Sequence, residues 1–383
     1  MEDKKIVVAG LICLDLTPQF TDGKVTDFYE MLQPGKVVNA KGITISGGGT
    51  VSNTGLSLAR LGGNVHLMTK LGNDFFGELL EKELNAYPVM TTILHTDQAD
   101  TSYSIVLAVP GYDRIFVHDV GCNAVFSWEE LDYNKIREAG IFHFGYPQSM
   151  KRFYQDNGAE LVKMYQRIKK LGVATSLDMA LAAPGSEASR VDWKLAVKQV
   201  IPYVDIFLPS VEELSSAIDK EYFYQLNQEA VKQNKSFAEV VSLEYVKKLA
   251  DTLMEWGGRI VLIKCGVQGM FLKTASWEDI QTIGGGLGEQ LADWGSQELY
   301  MPCFEPDCVR SGSGAGDVSI AAFLLAMQKA YPMRRCVELA AAAGASCVAS
   351  YDAYREIPSL EVLNQRIDQG WKQHPQRIKE TEE

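Results

Sequence analysis

Ser311-Gly-Ser-Gly-Ala-Gly-Asp317 runs without a break into the apolar stretch Val318-Ser-Ile-Ala-Ala-Phe-Leu-Leu-Ala-Met-Gln328. A small-residue turn that opens an apolar helix leaves the first-turn N–H groups without intrahelical acceptors, and together with the helix dipole they favour an anion. Glycine lets the backbone around Gly314, Ala315 and Gly316 come close to such an anion. Asp317 stands at the junction, placed to accept a proton from an attacking hydroxyl. Phosphoryl transfer asks mainly for positioning, charge stabilisation and one such base. Read by itself, the stretch also fits an N-capping aspartate behind a glycine-rich loop.

A second glycine turn, Gly47-Gly-Gly-Thr-Val-Ser-Asn53, again opens a helix, and Leu71-Gly-Asn-Asp74-Phe-Phe-Gly77 follows. The Asn53 amide offers two donors and an acceptor, which suits a polyol. Asp15 lies just past the first apolar run, Ile6–Ala9, where a carboxylate can accept hydrogen bonds from two hydroxyls. Each has a plain alternative: Asp15 as a loop residue, Asn53 as a helix-start residue, Asp74 as a turn former.

Between the two turns the chain alternates strand and helix patterns. Strands are expected at Ile141–Phe144, Ala174–Leu177, Ile206–Leu208, Ile260–Lys264 and Met270–Lys273, and helices at Asn157–Leu171, Trp193–Val200 and Leu243–Trp256. Such alternation implies a mostly parallel sheet with helices on both faces. Upstream, strands are expected at Ile6–Ala9, Lys41–Ser46 and Val65–Lys70, with helices at Val51–Leu61 and Phe75–Leu84. Two β-branched runs, Ser102–Val109 and Ile115–Val120, flank the hairpin signal Pro110-Gly-Tyr-Asp-Arg114. Strands from about 11–46 and 100–121 stand outside the main alternation, so residues 1–383 read as one domain with a small β lid over its mouth. Residues 217–242 are expected on the surface, and the glycine-rich Gly284–Glu298 as a loop near the site.

A chain of 383 residues, 46% hydrophobic and 22% charged, can bury a large core. The net charge of −12 argues against non-specific nucleic-acid binding. No apolar run reaches the roughly 18 residues a membrane span needs, and Ile6–Ala9 is too brief for a secretory signal core. Seven scattered cysteines without a Cys-x-x-Cys pair oppose a disulfide framework or a zinc site. They point instead to a soluble protein in a reducing, cytoplasmic setting.

Taken in order, these motifs resemble the PfkB-type carbohydrate kinases, also called the ribokinase-like family, from about residue 5 to 362. Gly10 with Asp15 is similar to the family's opening strand and sugar-binding aspartate. Gly48, Gly49 and Asn53 match its first signature, and Gly72, Asp74 and Gly77 the motif after it. Gly111 and Arg114, then Gly121-Cys-Asn123, resemble the lid hairpin and its return strand. Pro209-Ser-Val-Glu-Glu213 is similar to the family's Asn-x-x-Glu, and Lys264-Cys-Gly266-Val-Gln-Gly269 to its nucleotide-site turn. Gly314-Ala-Gly-Asp317 matches the second signature.

The resemblance implies a three-layer ribokinase-like α/β fold with a β lid, binding ATP and Mg²⁺. It implies attack by a hydroxyl of a small sugar or sugar acid, with Asp317 as base beside Gly314, Ala315 and Gly316. Asp15, Gly48, Gly49, Asn53 and Asn123 would hold the acceptor. Lys264, Gly266, Gly269 and Ser313 would meet the nucleotide, and Glu213 would act on magnesium through water. A nucleoside is the alternative acceptor, with aromatic residues such as Phe20, Phe28, Tyr29 and Tyr103 compatible with a base pocket. A homodimer through the lid is a further implication.

Three departures qualify the match. Ser311 and Gly312 replace the usual Asp-Thr that helps bind a monovalent cation, which leaves a need for potassium open. Ser210 replaces the asparagine of Asn-x-x-Glu. Ser319 and Ala322 replace the common Phe and Gly of the helix. His143, at a strand end, reads as a structural histidine, and Arg114 and Lys264 fit structural roles as well as ligand contacts.

Overall fold

The structure is a computed structural model that describes residues 4–20, 32–109, 114–350, 352–375 and 378. The expectations for Phe28, Tyr29, Gly111 and the first four residues of the 110–114 hairpin lie outside these residues. The main sheet has the order β13-β12-β11-β10-β9-β8-β1-β4-β5. Its strands are β1 (Lys5–Gly10), β4 (Val65–Gly72), β5 (Met90–Thr96), β8 (Ala139–Gly145), β9 (Ala174–Leu177), β10 (Ile206–Phe207), β11 (Ile260–Lys264), β12 (Met270–Thr274) and β13 (Glu298–Met301). All neighbours are parallel except β11–β12 and β12–β13. A mostly parallel sheet covered on both faces is therefore present, as the sequence predicts.

The covering follows from the strands' period of two. Ile6 and Val8 of β1 enter one core with the helices Ala315–Gln328 and Met333–Cys347, while Val7 and Ala9 enter a second core with Lys151–Lys169 and Leu243–Glu255. The near-continuous apolar sequence of Ala315–Gln328 has a direct cause. Every residue from Asp317 to Met327 is buried, packed between the sheet and two neighbouring helices.

A second sheet, order β3-β2-β6-β7, comprises β2 (Cys13–Phe20), β3 (Ala40–Gly48), β6 (Tyr103–Leu107) and β7 (Ile115–Asp119). Only Leu11 and Ile12 separate β1 from β2, so this sheet springs from the carboxyl end of β1. In open α/β sheets ligands bind at those carboxyl ends, where strand order reverses.

Two expectations change. The helix read from Asn157 starts only after Gly158, since Asp156, Asn157 and Gly158 take positive φ, and a separate helical turn from Lys151 precedes it. The Gly284–Gly286 turn lies at the opposite end of the sheet from the site. Gly285 N donates to Gly172 O at 2.7 Å, and a Cβ on Gly285 would fall 1.9 Å from Gly140 O. Its glycines are there because the backbone closes over the amino ends of β8 and β9, and not to receive a ligand.

Candidate active site

Helix Ala315–Gln328 starts from Gly314, whose φ of +73° swings the chain out of the preceding turn. Asp317 is its third residue and only 4% exposed. Three side chains donate to its carboxylate: Thr54 Oγ1 to Oδ1 at 3.1 Å, Asn53 Nδ2 to Oδ2 at 3.1 Å, and the Tyr146 hydroxyl to Oδ2 at 2.7 Å. Burial pushes the Asp317 carboxyl above its ordinary range, and Tyr146, Lys264, Asn53 and Thr54 oppose that rise. The result is an acid raised by burial but held by donors that favour its charged form.

Asp15 comes from β2 in the small sheet, in register with Ser46 on β3 and Ser104 on β6. Its pKa is pushed up to about 6, first by burial, with hydrogen bonds from Cys13 and Ser104 lowering it and the negative charge of Asp317 adding to the rise. The carboxylate rests on Gly48: a Cβ there would lie 2.4 Å from Asp15 Oδ2. Gly48 is thus a close-approach glycine that seats Asp15, and Gly49 begins helix Gly49–Arg60, which carries Asn53 and Thr54.

Behind Asp317 lies a buried charge cluster. Lys264, at the end of β11, places Nζ 2.8 Å from Asp178 Oδ1, and an added Cβ on Gly316 would meet the same Nζ at 3.5 Å. Burial works against the Lys264 charge, but Asp178, Glu213 and Asp317 together hold its pKa above the usual lysine value. Glu213 sits in the first turn of helix Val211–Ile218, where Ser210 N donates to its Oε2 at 2.7 Å and Glu213 N to Ser210 Oγ at 3.2 Å. This reciprocal cap explains how Ser210 replaces the expected asparagine: serine is an efficient N-cap. Gly266 and Gly269 bracket the short turn between β11 and β12. Arg114, just before β7, donates to Ser313 Oγ and so ties the small sheet to the turn that opens helix Ala315–Gln328.

A model of the pfkB family carbohydrate kinases matches residues 3–360. The chain belongs to this family. The pfkB kinases are phosphotransferases with an alcohol acceptor. This chain is 20% identical over 303 residues to an uncharacterized sugar kinase of Archaeoglobus fulgidus, covering 79% of the chain and 98% of that protein. It is 27% identical over 203 residues to fructokinase-2 of Solanum lycopersicum, covering 51% of the chain and 61% of that kinase. The structure of Arabidopsis thaliana ribokinase complexed with ribose and ATP superposes with a TM-score of 0.65 at 20% identity, covering 94% of this chain and 98% of that one.

Within this pfkB chain, the residues expected at the site divide clearly. Asp317, Asn53, Asp15 with Gly48, Lys264, Glu213 and Ser313 converge at the carboxyl ends of the strands. Asn123 does not offer its amide to a ligand. It is fully buried, its Nδ2 donates to Ile12 O and Val120 O, and its Oδ1 accepts from Ile12 N, so it braces the β1–β2 junction. Asn53 is spent in part on Asp317. Thr54 and Asp178 escaped the sequence reading, while Tyr146 was legible only as the head of a 146–152 stretch able to line the pocket, without its bond to Asp317. Asp178 follows strand β9 directly, so an acid at a strand's carboxyl end was its one available signal.

His143 is a neutral core histidine: its Nδ1 is 2.9 Å from Ser176 Oγ, and burial and then Lys264 hold its pKa down at about 3. The seven cysteines are free thiols. Among the described residues there is no His, Cys, Asp or Glu cluster able to ligate a metal directly, and no helix long and apolar enough to cross a membrane.

Proposed function

We propose that this pfkB kinase transfers the γ-phosphoryl group of ATP to a hydroxyl of a small sugar or sugar acid, with Asp317 as the general base. The observation that carries this reading is the Asp317 carboxylate, buried in the first turn of a helix and held in place by Asn53, Thr54 and Tyr146. An acceptor hydrogen-bonded to Asp15 presents one hydroxyl to Asp317. The polyphosphate lies on the open N–H groups of Gly314, Gly316 and Asp317, flanked by the Lys264 ammonium. Proton removal by Asp317 and in-line attack on the γ-phosphorus follow, with ADP leaving. Arg114, brought in by the small sheet acting as a lid, adds a cation at Ser313 as negative charge spreads over the transferring group.

The cluster also suits Mg²⁺. Three carboxyls, Asp178, Glu213 and Asp317, face the Lys264 ammonium, and burial raises each above its ordinary range, so a further cation here would favour their ionised forms. Without a direct ligand cluster, Glu213 would hold the ion through its hydration shell, as the reluctant dehydration of Mg²⁺ favours. The bound ion supplies charge neutralisation of the polyphosphate. The test is an ADP-release screen with Mg-ATP against sugars, sugar acids and nucleosides, with and without potassium. Turnover of a sugar or sugar acid is expected, while turnover of nucleosides alone would overturn the acceptor class.

Asp15→Ala is expected to raise the acceptor KM by about 10-fold or more with a smaller change in kcat, because it removes hydrogen bonds to a charged group. The sign of the pH effect follows from the raised pKa. As pH falls through about 6, Asp15 gains a proton and loses acceptor capacity, so the wild-type KM rises on acidification. In Asp15→Ala that part of the pH dependence disappears. A KM that ignores both the substitution and acidification would remove Asp15 from the acceptor site.

The outward side chains of β7 favour a homodimer through the lid. Phe116 and Val117 are each 53% exposed and Ile115 is 42% exposed on an edge strand, a surface that soluble chains usually cover. Light scattering should find a dimer for the wild type and a monomer for Phe116→Glu, and a monomeric wild type would refute the pairing.

A further inference from the structure

We propose that Tyr146 is a positioning residue for Asp317: a strained turn at the end of β8 aims its phenol at Oδ2 and fixes the carboxylate in its working orientation. The inference rests on the reading of Asp317 as base and adds to it a residue that none of the signature motifs contains. Tyr146 is one of the few non-glycine residues with positive φ, at φ 65° and ψ 42°. It also precedes Pro147, and a residue before proline is normally driven to extended backbone. Left-handed backbone at a bulky residue is strained and persists where surrounding structure enforces it.

The enforcement is visible. β8 is held on both sides by β1 and β9, Gly145 pairs with Gly10, and Ser149 N closes a tight turn on Tyr146 O at 3.0 Å. An extended residue 146 would carry the side chain elsewhere. The left-handed turn instead delivers the hydroxyl to Asp317 Oδ2 at 2.7 Å, a short charge-assisted bond.

The donor's state is secure. Burial, then the negative charges of Asp317, Asp178 and Glu213, push the Tyr146 phenol well above its ordinary pKa, so it keeps its proton and can only donate to the carboxylate. The other titratable groups facing Asp317 are Lys264 on β11, Asp178 after β9, Glu213, Asp15 with Cys13 on β2, and Cys347. Lys264 favours the ionised carboxylate, and the acids oppose it. Among the hydrogen-bonding side chains, Asn53 and Thr54 both come from helix Gly49–Arg60, so Tyr146 is the donor that approaches from the sheet.

The experiment compares wild type, Tyr146→Phe and Tyr146→Gly. The first variant keeps the ring and loses the donor. The second loses the donor but accepts positive φ without strain. Both should lower kcat by about tenfold, the loss expected of one hydrogen bond to a charged group, with the acceptor KM within about twofold. Both should move the acidic limb of the kcat profile to higher pH, since a carboxylate deprived of a donor binds its proton more tightly.

A readout independent of turnover is the carboxyl ¹³C titration of Asp317 in the protein without substrates, assigned by its loss in Asp317→Asn. It should shift upward in both Tyr146 variants. An unmoved titration and an unmoved kcat limb would overturn the proposal, even if melting temperature or activity fell. Full turnover by Asp317→Asn would instead overturn the base, and the ¹³C titration would still report on the Tyr146–Asp317 bond.

Discussion

Asp317→Asn is expected to lower kcat by about 10³-fold or more while ATP binds within a few-fold of wild type. Asparagine has the same shape and can still accept from Thr54, but its amide takes no proton from an alcohol. General-base catalysis of this kind contributes about 10²–10⁴-fold. The proposed anion site consists of the main-chain N–H groups of Gly314, Gly316 and Asp317, which the substitution leaves in place. Calorimetric titration with ATP and single-turnover kinetics separate the two effects, and turnover within tenfold of wild type would rule out the base.

Stability supplies a second reading of the same variant. Burial raises the pKa of Asp317 in the folded chain, so its ionised form is disfavoured there relative to the unfolded chain. Stability held below the ordinary carboxylate range is lost as pH rises towards the folded pKa. The neutral isostere does not carry that cost. Asp317→Asn should therefore melt no lower than wild type at neutral pH, which separates lost chemistry from lost fold.

Lys264→Met is expected to damage both fold and activity. Lys264 is 8% exposed and Asp178 only 1%, and their side chains meet at 2.8 Å. Methionine fills a similar volume without charge, and removing one partner of a buried pair costs about 3–5 kcal/mol because the other charge remains unmatched. Burial pushes Asp178 upward and the Lys264 ammonium opposes it, so the variant raises Asp178 further. Its bare carboxylate is then tolerated less as pH rises. Urea unfolding should show a larger deficit at about pH 8.5 than at about pH 6.

Adding Asp178→Asn to Lys264→Met should recover much of the stability. Activity should stay about 10²-fold or more below wild type, because no ammonium then flanks Gly316 and the polyphosphate. Equal deficits at both pH values, or activity restored by the double variant, would refute the role given to this pair.

How far the sequence reached differs between fold and site. The parallel order of the main strands and the helices on both faces were legible from alternating apolar runs, since each run must bury both faces of its strand. β2 and β5 were harder to read. β2 is polar and half-exposed in the small sheet, and β5 shows only one buried residue in seven, so neither carries a clear apolar run. The Gly284–Gly286 turn misled because glycine signals close approach in general, whether to a phosphate or to the backbone of Gly140. Asn123 misled for a similar reason, because an amide that suits a sugar suits two carbonyls and an N–H equally well.

By itself, the sequence determined the glycine turn before Asp317, the second turn before Asn53 and the carboxylate of Asp15, because each is a local pattern of backbone freedom and side-chain type. Tertiary structure alone decided which groups surround Asp317. Thr54 lies 263 positions away in the chain and Tyr146 171 positions away, and no periodicity links them. They meet because parallel strands bring their carboxyl ends to one edge and a single helix start is packed against that edge. Chain order constrains each element's conformation, but only burial of the sheet's two faces brings those ends together.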